Sequence, residues 1–342
     1  MNGEATTTGP YEEVYDPIRP ELRAVIANIA TLALEQGSRE SAMAGQLEHV
    51  LSAPGKRLRP AITLLASRLW GAPSDMDVMM GTGVELLHIA TLIHDDTVDA
   101  ADMRRGRETA SNLWGRNVAV LLGDYVFAAA ARFVCDTNNV RLVRRFAETI
   151  MELSRGELNE LLDGKDTRVT RDAYYQRIFD KTASLFTTAA ESGAVLGGAP
   201  ESEIQLVRNY GYKLGMAYQV LDDVLDYDST SEELGKPAGN DLKEGVLTLP
   251  AIMYIEARPE SNPVLDLFKS VRTAPKNGKS EADDDDLANA IQSVRDSGFI
   301  EKSREVAQQF IDEARDSLSG LPDTEERAAL ETLADLTGGR RS

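Results

Sequence analysis

The chain has 342 residues, enough for one large domain or two and for a sizeable core. Its 56 acidic and 37 basic residues leave a net charge of −19, which argues against a nucleic acid partner and against adsorption to an anionic membrane surface. Hydrophobic content of 42% is that of an ordinary soluble globular protein, and the single cysteine, Cys135, excludes an intramolecular disulfide and fits a reducing, cytoplasmic compartment, with helix packing as its expected role.

Residues 1–16 carry neither a basic start nor an apolar run, and they are expected to form a short flexible tail and not a signal peptide. From Pro20 to Gly37 the apolar residues Leu22, Val25, Ile26, Ile29, Leu32 and Ala33 recur at helical spacing, with Gly37-Ser38 as a stop. A second helix carries Leu47, Val50 and Leu51. The loop Ala53-Pro-Gly-Lys-Arg-Leu-Arg-Pro60 then places Lys56, Arg57 and Arg59 just before a helix in which Pro60 is the first residue and Trp70 the last. Basic residues before a helix N-terminus make an anion site.

In Glu85–Asp99 the residues Leu86, Leu87, Ile89, Leu92 and Ile93 keep helical spacing, and the stretch ends in Asp95, Asp96 and Asp99. Asp95 and Asp99 share a face at a 3.6-residue period. Carboxylates near a helix C-terminus oppose the macrodipole and repel one another, so the cluster costs stability unless a cation compensates. In Ala100–Gly106 the glycine can end the helix while Arg104 and Arg105 turn back toward the carboxylates. Guanidinium groups match phosphate oxygens in a bidentate way, although plain pairing with Asp95, Asp96 or Asp99 is the structural alternative.

Val118–Cys135 reads as a buried helix broken early by Gly123, with Phe127, Phe133 and the small residues Ala128–Ala131 along it. Helices are expected over Leu142–Leu162, over Asp172–Leu196 with Lys181 and Thr182 inside it, and over Glu203–Leu225. The apolar run Met216–Leu221 leads into Asp222-Asp-Val-Leu-Asp226, a second Asp-Asp-x-x-Asp behind an apolar helix. Two copies point to two walls of one cavity. Hard carboxylate oxygens suit Mg²⁺, which completes its shell with substrate phosphates.

Gly235–Gly239 reads as a loop carrying Lys236, and Lys236 and Lys243 flank Asp241 before an apolar helix over Leu249–Ile255. Residues 273–286 lack periodicity and are expected to be a mobile loop, its four aspartates plain solvated surface. Helices over Ile300–Leu318 and Glu325–Leu336 close the chain. No stretch alternates with β-branched enrichment, and no uninterrupted apolar run reaches the roughly 18 residues of a membrane span. The expected fold is all-α, a single domain over residues 17–342.

Gly-Lys-Arg-Leu-Arg-Pro, His-Asp-Asp-Thr-Val-Asp with Met-Arg-Arg-Gly, Lys-Thr-Ala, Tyr-Gln-Val-Leu-Asp-Asp-Val-Leu-Asp, and Gly-Lys with Asn-Asp-Leu-Lys-Glu-Gly follow one another between Ala53 and Pro250. In these motifs and their order the chain resembles the trans-polyprenyl diphosphate synthases. The resemblance implies a single helical bundle around a central cavity, assembled as a homodimer. It implies that Asp95, Asp96 and Asp99, together with Asp222, Asp223 and Asp226, hold Mg²⁺ against an allylic diphosphate such as farnesyl or geranylgeranyl diphosphate. It assigns Lys56, Arg59, His88 and Arg105 to isopentenyl diphosphate, and Arg104, Lys181, Thr182, Gln219 and Lys236 to the allylic diphosphate. His49 and His94 are read as structural.

The implied chemistry is ionisation of the allylic C–O bond, attack of the isopentenyl double bond on the cation, and proton loss with the departing diphosphate as base. No protein nucleophile is needed. Thr91 and Ala90 lie one turn above Asp95 and Leu87 two turns above, so a growing chain would pass them. Ala90, Thr91, Ala128 and Ala131 are small, a pattern similar to the long-chain branch that makes octaprenyl or solanesyl quinone side chains, with Leu87, Phe127 or Phe133 as the floor; close helix packing is the structural alternative. Rival readings are a farnesyl or geranylgeranyl synthase, the catalytic subunit of a two-component synthase, a terpene cyclase and a regulatory subunit. Cyclases usually carry a different second metal motif, and regulatory subunits tend to lose aspartates or the basic loop.

Overall fold

Helical spacing in the sequence becomes helix almost throughout the computed structural model, which describes residues 10–35, 41–163, 168–228, 239–273 and 284–339. The one sheet among the described residues is a hairpin of two-residue strands, β1 (Met103–Arg104) and β2 (Arg107–Glu108). The all-α expectation therefore holds. The chain divides into two compact units, one of Met1–Thr149, Leu185–Gly211 and Ser317–Leu336, the other of Ile150–Ser184, Tyr212–Asp316 and Thr337–Ser342.

The first unit opens with α1 (Glu12–Tyr15), a short 3₁₀ turn and α2 (Arg19–Leu34). Within the tail expected through Asp16, Val14 and Tyr15 are instead buried and ordered, as is Ile18 beyond it; residues 1–9 lie outside the described residues. After α3 (Ala42–Leu51), α4 spans Leu58–Arg68 and starts two residues before Pro60. Arg57 precedes it in a left-handed conformation at φ 53°. Pro60 is tolerated in the first turn, where a helix has no internal partner for its N–H groups.

Next comes α5 (Asp75–Val98), started by a capping box in which the Ser74 N–H donates to Asp77 Oδ2 at 2.9 Å. It packs against α2, α4 and α7 (Arg116–Asp136), with Met80, Val84, Leu87 and Ala90 wholly buried. Gly123 does not break α7, contrary to expectation. A Cβ there would lie 2.2 Å from His94 Nε2, so the glycine lets α5 and α7 approach, and His94 in turn hydrogen-bonds Val120 O at 3.2 Å. His94 is structural, as read. So is His49, whose Nε2 meets Glu108 O at 2.9 Å and whose Nδ1 meets Arg107 Nη2 at 3.1 Å. Cys135 is exposed, so the packing role expected of it is withdrawn.

By length and composition α5 and α7 are long and apolar enough to cross a membrane. The apolar window of α5 is 67% buried within the protein, as in a core helix. Between them α6 (Ala110–Trp114) follows the hairpin, whose two-residue turn has Arg105 at φ 51° and Gly106 at φ 75°. Positive φ at both positions is the backbone that a tight hairpin needs.

The second unit receives the end of α8 (Val140–Asp163), then α9 (Arg171–Ile178) and a wide π-helical turn over Phe179–Ala183 before α10 (Ser184–Leu196). One continuous helix was expected over Asp172–Leu196. Such wide turns inside helices concentrate at functional sites, and this one holds Lys181 and Thr182. Gly156 of α8 backs it, since a Cβ there would lie 2.8 Å from Lys181 N. Helix α11 (Glu201–Asp228) carries the second aspartate motif, and α12 (Asn240–Glu244), α13 (Leu249–Ala257), α14 (Pro263–Thr273), α15 (Asp284–Arg295), α16 (Phe299–Leu318) and α17 (Glu325–Gly338) complete the chain. Helices α14 and α15 occupy both ends of the loop expected over 273–286, and residues 274–283 lie outside the described residues.

Candidate active site

In the first unit, α5 delivers the aspartates and the hairpin returns arginines to them. Asp95 is half-buried, Asp96 is buried and Asp99 is exposed. Arg104 Nε donates to Asp96 Oδ1 at 2.5 Å, so the pairing weighed from sequence holds for Arg104. Arg105 instead reaches the basic loop, its Nη1 donating to Pro54 O at 2.5 Å. Within that loop Arg57 is committed, with Nη1 donating to buried Glu85 Oε1 at 2.6 Å and Nη2 to Ala53 O at 3.0 Å. Arg59 stacks its guanidinium 4.5 Å from the centre of the Phe186 ring. Lys56 is exposed, its Nζ 5.6 Å from the Tyr11 ring centre, and Tyr15 Oη donates to its carbonyl at 2.5 Å.

His88 lies on α5 among these groups. Burial, and then the charges of Arg59, Arg105, Arg57 and Arg104, hold its pKa well below the usual histidine range. The structure therefore gathers four arginines around a neutral imidazole. Two of the four are balanced by carboxylates, Arg57 by Glu85 and Arg104 by Asp96.

In the second unit, Lys181 Nζ meets Glu160 Oε1 at 2.6 Å and Glu157 Oε1 at 3.2 Å, both on α8. Thr182 Oγ1 donates to Gln219 Oε1 at 2.5 Å, Gln219 Nε2 donates to Asp223 Oδ1 at 2.8 Å, and Tyr174 Oη donates to Asp223 Oδ2 at 2.6 Å. Burial pushes Asp223 up to about 7, against the two hydrogen bonds and the Arg177 charge, which favour the carboxylate. Asp222 and Asp226 are half-buried. Asp226 receives the N–H groups of Asn240 and Asp241, each at 3.1 Å, and so caps α12. Burial, then Asp226, Asp223, Glu160 and Glu244, push Asp241 well above the carboxylate range. Lys236 lies outside the described residues.

Among the described residues, no three His, Cys, Asp or Glu side chains are gathered where they could hold a metal ion. Asp96 accepts from Arg104, Asp223 from Tyr174 and Gln219, and Asp226 from the Asn240 and Asp241 N–H groups. The donor set is nonetheless all hard oxygen, and Mg²⁺ is commonly held by one or two carboxylates while waters and substrate phosphates complete its octahedron.

Of the chain-length residues, Leu87 and Ala90 are fully buried, while Thr91 is half-buried with its Oγ1 donating to His88 O at 2.8 Å. Ala131 and Phe127 are half-buried and Phe133 is buried. Ala128 is exposed, because the buried stripe of α7 runs through Val126, Ala129, Ala130 and Phe133 and position 128 falls outside it. It is withdrawn as an interior lining residue. Sequence reading missed Glu85, Glu157, Glu160 and Tyr174, whose roles depend on which helices meet. The one local signal was the i, i+3 spacing of Glu157 and Glu160.

The polyprenyl synthetase family model matches residues 40–283. The octaprenyl diphosphate synthase of Escherichia coli is 34% identical over 91% of this chain and 94% of its own. The crystal structure of a decaprenyl diphosphate synthase from Rhodobacter capsulatus is 36% identical, with a TM-score of 0.85 over 97% of this chain and all of that one. A polyprenyl synthase from Caulobacter crescentus, solved with calcium and isoprenyl diphosphate, is 32% identical, with a TM-score of 0.86 over 98% of this chain and 100% of that one.

Proposed function

This chain belongs to the polyprenyl synthetase family, and we propose that it is a Mg²⁺-dependent prenyltransferase that condenses isopentenyl diphosphate with an allylic diphosphate into a long all-trans polyprenyl diphosphate. The observation that carries this reading is the basic loop and hairpin, with Arg57 on Glu85, Arg104 on Asp96 and Arg105 on Pro54 O, beside the helix that carries His88 and ends in Asp95 and Asp99. At 1.5 Å per residue, His88 precedes Asp95 by about 10 Å along the axis. An anion site and a cation site that close suit a reaction between two diphosphates.

Lys56, Arg59 and Arg105 bind the isopentenyl diphosphate, and His88 adds a hydrogen bond without a charge. Arg104, Lys181, Thr182, Gln219 and Lys236 bind the allylic diphosphate. Lys181 reaches it by exchanging a carboxylate of Glu160 or Glu157 for a phosphate oxygen. Asp95, Asp96, Asp99, Asp222, Asp223 and Asp226 would hold Mg²⁺, which would neutralise charge on the leaving diphosphate. The arginines and lysines do the same from fixed positions, so charge that develops on ionisation meets donors already in place. The isopentenyl alkene then attacks the allylic cation, and the released diphosphate removes the proton.

Small, buried Ala90 and half-buried Thr91 let the product lengthen past α5. Apolar Val120, Leu121, Met151, Leu158 and Leu162 are exposed, which supports assembly as a homodimer; the single cysteine supports a cytoplasmic setting. The test is incubation of the purified chain with Mg²⁺, isopentenyl diphosphate and farnesyl or geranylgeranyl diphosphate, followed by sizing of the dephosphorylated products. Heptaprenyl to decaprenyl alcohols are expected. Products that stop at farnesol or geranylgeraniol would overturn the long-chain reading, and no product would overturn a self-sufficient enzyme.

A further inference from the structure

We propose that Tyr174 is a positioning residue for the allylic diphosphate, acting through Asp223 and Gln219 on Thr182; the proposal rests on the prenyltransferase reading above. Tyr174 is wholly buried on α9, and its Oη donates to Asp223 Oδ2 at 2.6 Å. That contact decides everything after it. With Oδ2 taken by the tyrosine, Gln219 turns its amide nitrogen to the other oxygen, Oδ1, at 2.8 Å. Its Oε1 is thereby fixed toward Thr182, whose hydroxyl has to donate, at 2.5 Å. Four side chains from three elements, α9, the π-helical turn and α11, are thus set in one polarity.

Two consequences separate this relay from ordinary core packing. Thr182 has spent its proton on Gln219 and presents lone pairs outward, so it meets the diphosphate through a donor, an ammonium or a bound water. Lys181 is the adjacent residue in the same turn and supplies such a group. Secondly, the relay joins the aspartate motif of α11 to the Lys-Thr turn, so a change at Tyr174 is felt at the substrate without Tyr174 touching it. Removing one hydroxyl leaves Asp223 with a single donor and the Gln219 amide free to rotate.

The experiment is a double-mutant cycle on the full chain with Tyr174→Phe, Thr182→Val and the double variant, read as kcat/KM for the allylic diphosphate, with KM for isopentenyl diphosphate as internal control. Each single change is expected to lower kcat/KM by about tenfold, the scale of one hydrogen bond to a charged group. The double variant is expected to be no worse than Thr182→Val alone, with the isopentenyl KM unchanged. Effects that multiply, or a Tyr174→Phe protein with wild-type kinetics, would overturn the proposal. Urea unfolding of the metal-free Tyr174→Phe, Gln219→Leu and double variants should be non-additive as well, and additivity there would also overturn it. Gln219→Leu replaces Tyr174→Phe in the kinetic cycle if the phenylalanine protein does not fold, since it cuts the same relay at a half-buried position. A wild-type chain that makes no product removes the functional reading and this proposal together, whereas an active wild type with multiplying variants removes the proposal alone.

Discussion

Replacing Gly156 by alanine sets helix propensity against packing at the turn that carries Lys181. In an open helical position the change is worth about 1 kcal/mol in favour of alanine. Gly45 is such a position on α3, with nothing within 4 Å of an added Cβ. At Gly156 the same Cβ would lie 2.8 Å from Lys181 N and 3.1 Å from both the carbonyl carbon and the Cβ of Asp180. Ordinary contact begins at 3.4 Å, so a gap of about 0.6 Å has to open against backbone, which cannot swing aside as a side-chain tip can. Overpacking of this kind costs about 1–3 kcal/mol. Net destabilisation of up to about 2 kcal/mol is expected for Gly156→Ala, against a gain of about 1 kcal/mol for Gly45→Ala, both read by urea unfolding. The displaced turn also carries the bonds of Lys181 to Glu160 and of Thr182 to Gln219. Misplacement by a sizeable fraction of an ångström should therefore cost at least about tenfold in kcat/KM for the allylic substrate, with isopentenyl KM and Gly45→Ala kinetics unchanged. A Gly156→Ala protein as stable and as active as Gly45→Ala would refute the reasoning.

Asp95→Asn should lower turnover by about two orders of magnitude or more with an unchanged unfolding midpoint, because it removes a charged metal contact from a half-buried position; normal turnover at saturating Mg²⁺ would exclude Asp95 from the metal site. Arg105→Asn keeps a residue type that tolerates φ 51° and should leave stability within about 1 kcal/mol, while KM for isopentenyl diphosphate rises about tenfold. Ala90→Tyr should shorten the product, read by chromatography of the dephosphorylated alcohols, and should cost about 1–3 kcal/mol because Ala90 is fully enclosed. Asp223 is raised to about 7 in the folded protein, above its unfolded value, so the fold binds the extra proton and this group's contribution is lost as pH rises from about 4 through 7. The metal-free wild type should lose stability across that window relative to Asp223→Asn, by at most about 4 kcal/mol; parallel pH profiles would show that Asp223 titrates normally.

The sequence made the helices legible because their apolar faces repeat at 3.6 residues, and α2, α8, α11 and α16 lie close to where that period puts them, while α5 begins ten residues before the Glu85 expected. Its failures have local causes. Gly123 looks like a breaker until the neighbouring helix is known, and then it is the residue that admits His94. The π-helical turn at Phe179–Ala183 leaves no mark on apolar periodicity, since one extra residue per turn shifts the pattern less than a loop would. Helix α15 starts within a run of aspartates that composition alone reads as solvated loop. Acidic residues suit the first turn of a helix, and that signal was outweighed by the absence of an apolar face before it.

The two aspartate motifs divide in the same way, and helix geometry explains why. Residues four apart share a face, whereas the second aspartate lies about 100° around from the first. Asp95 with Asp99 and Asp222 with Asp226 are accordingly half-buried or exposed, while Asp96 and Asp223 are buried. A buried carboxylate has to find donors, and each does: Asp96 takes Arg104, and Asp223 takes Tyr174 and Gln219. In each motif the first and third aspartates thus share a face and the second is buried, and in the second motif Asp226 also accepts the Asn240 and Asp241 N–H groups. The buried aspartate ties its helix to groups proposed to meet the diphosphate, Arg104 for Asp96, and Gln219 with Thr182 for Asp223. Conservative changes at Asp96 or Asp223 should then act first on those partners, raising KM for the allylic diphosphate before they alter the Mg²⁺ requirement, whereas changes at Asp95 or Asp222 should do the reverse.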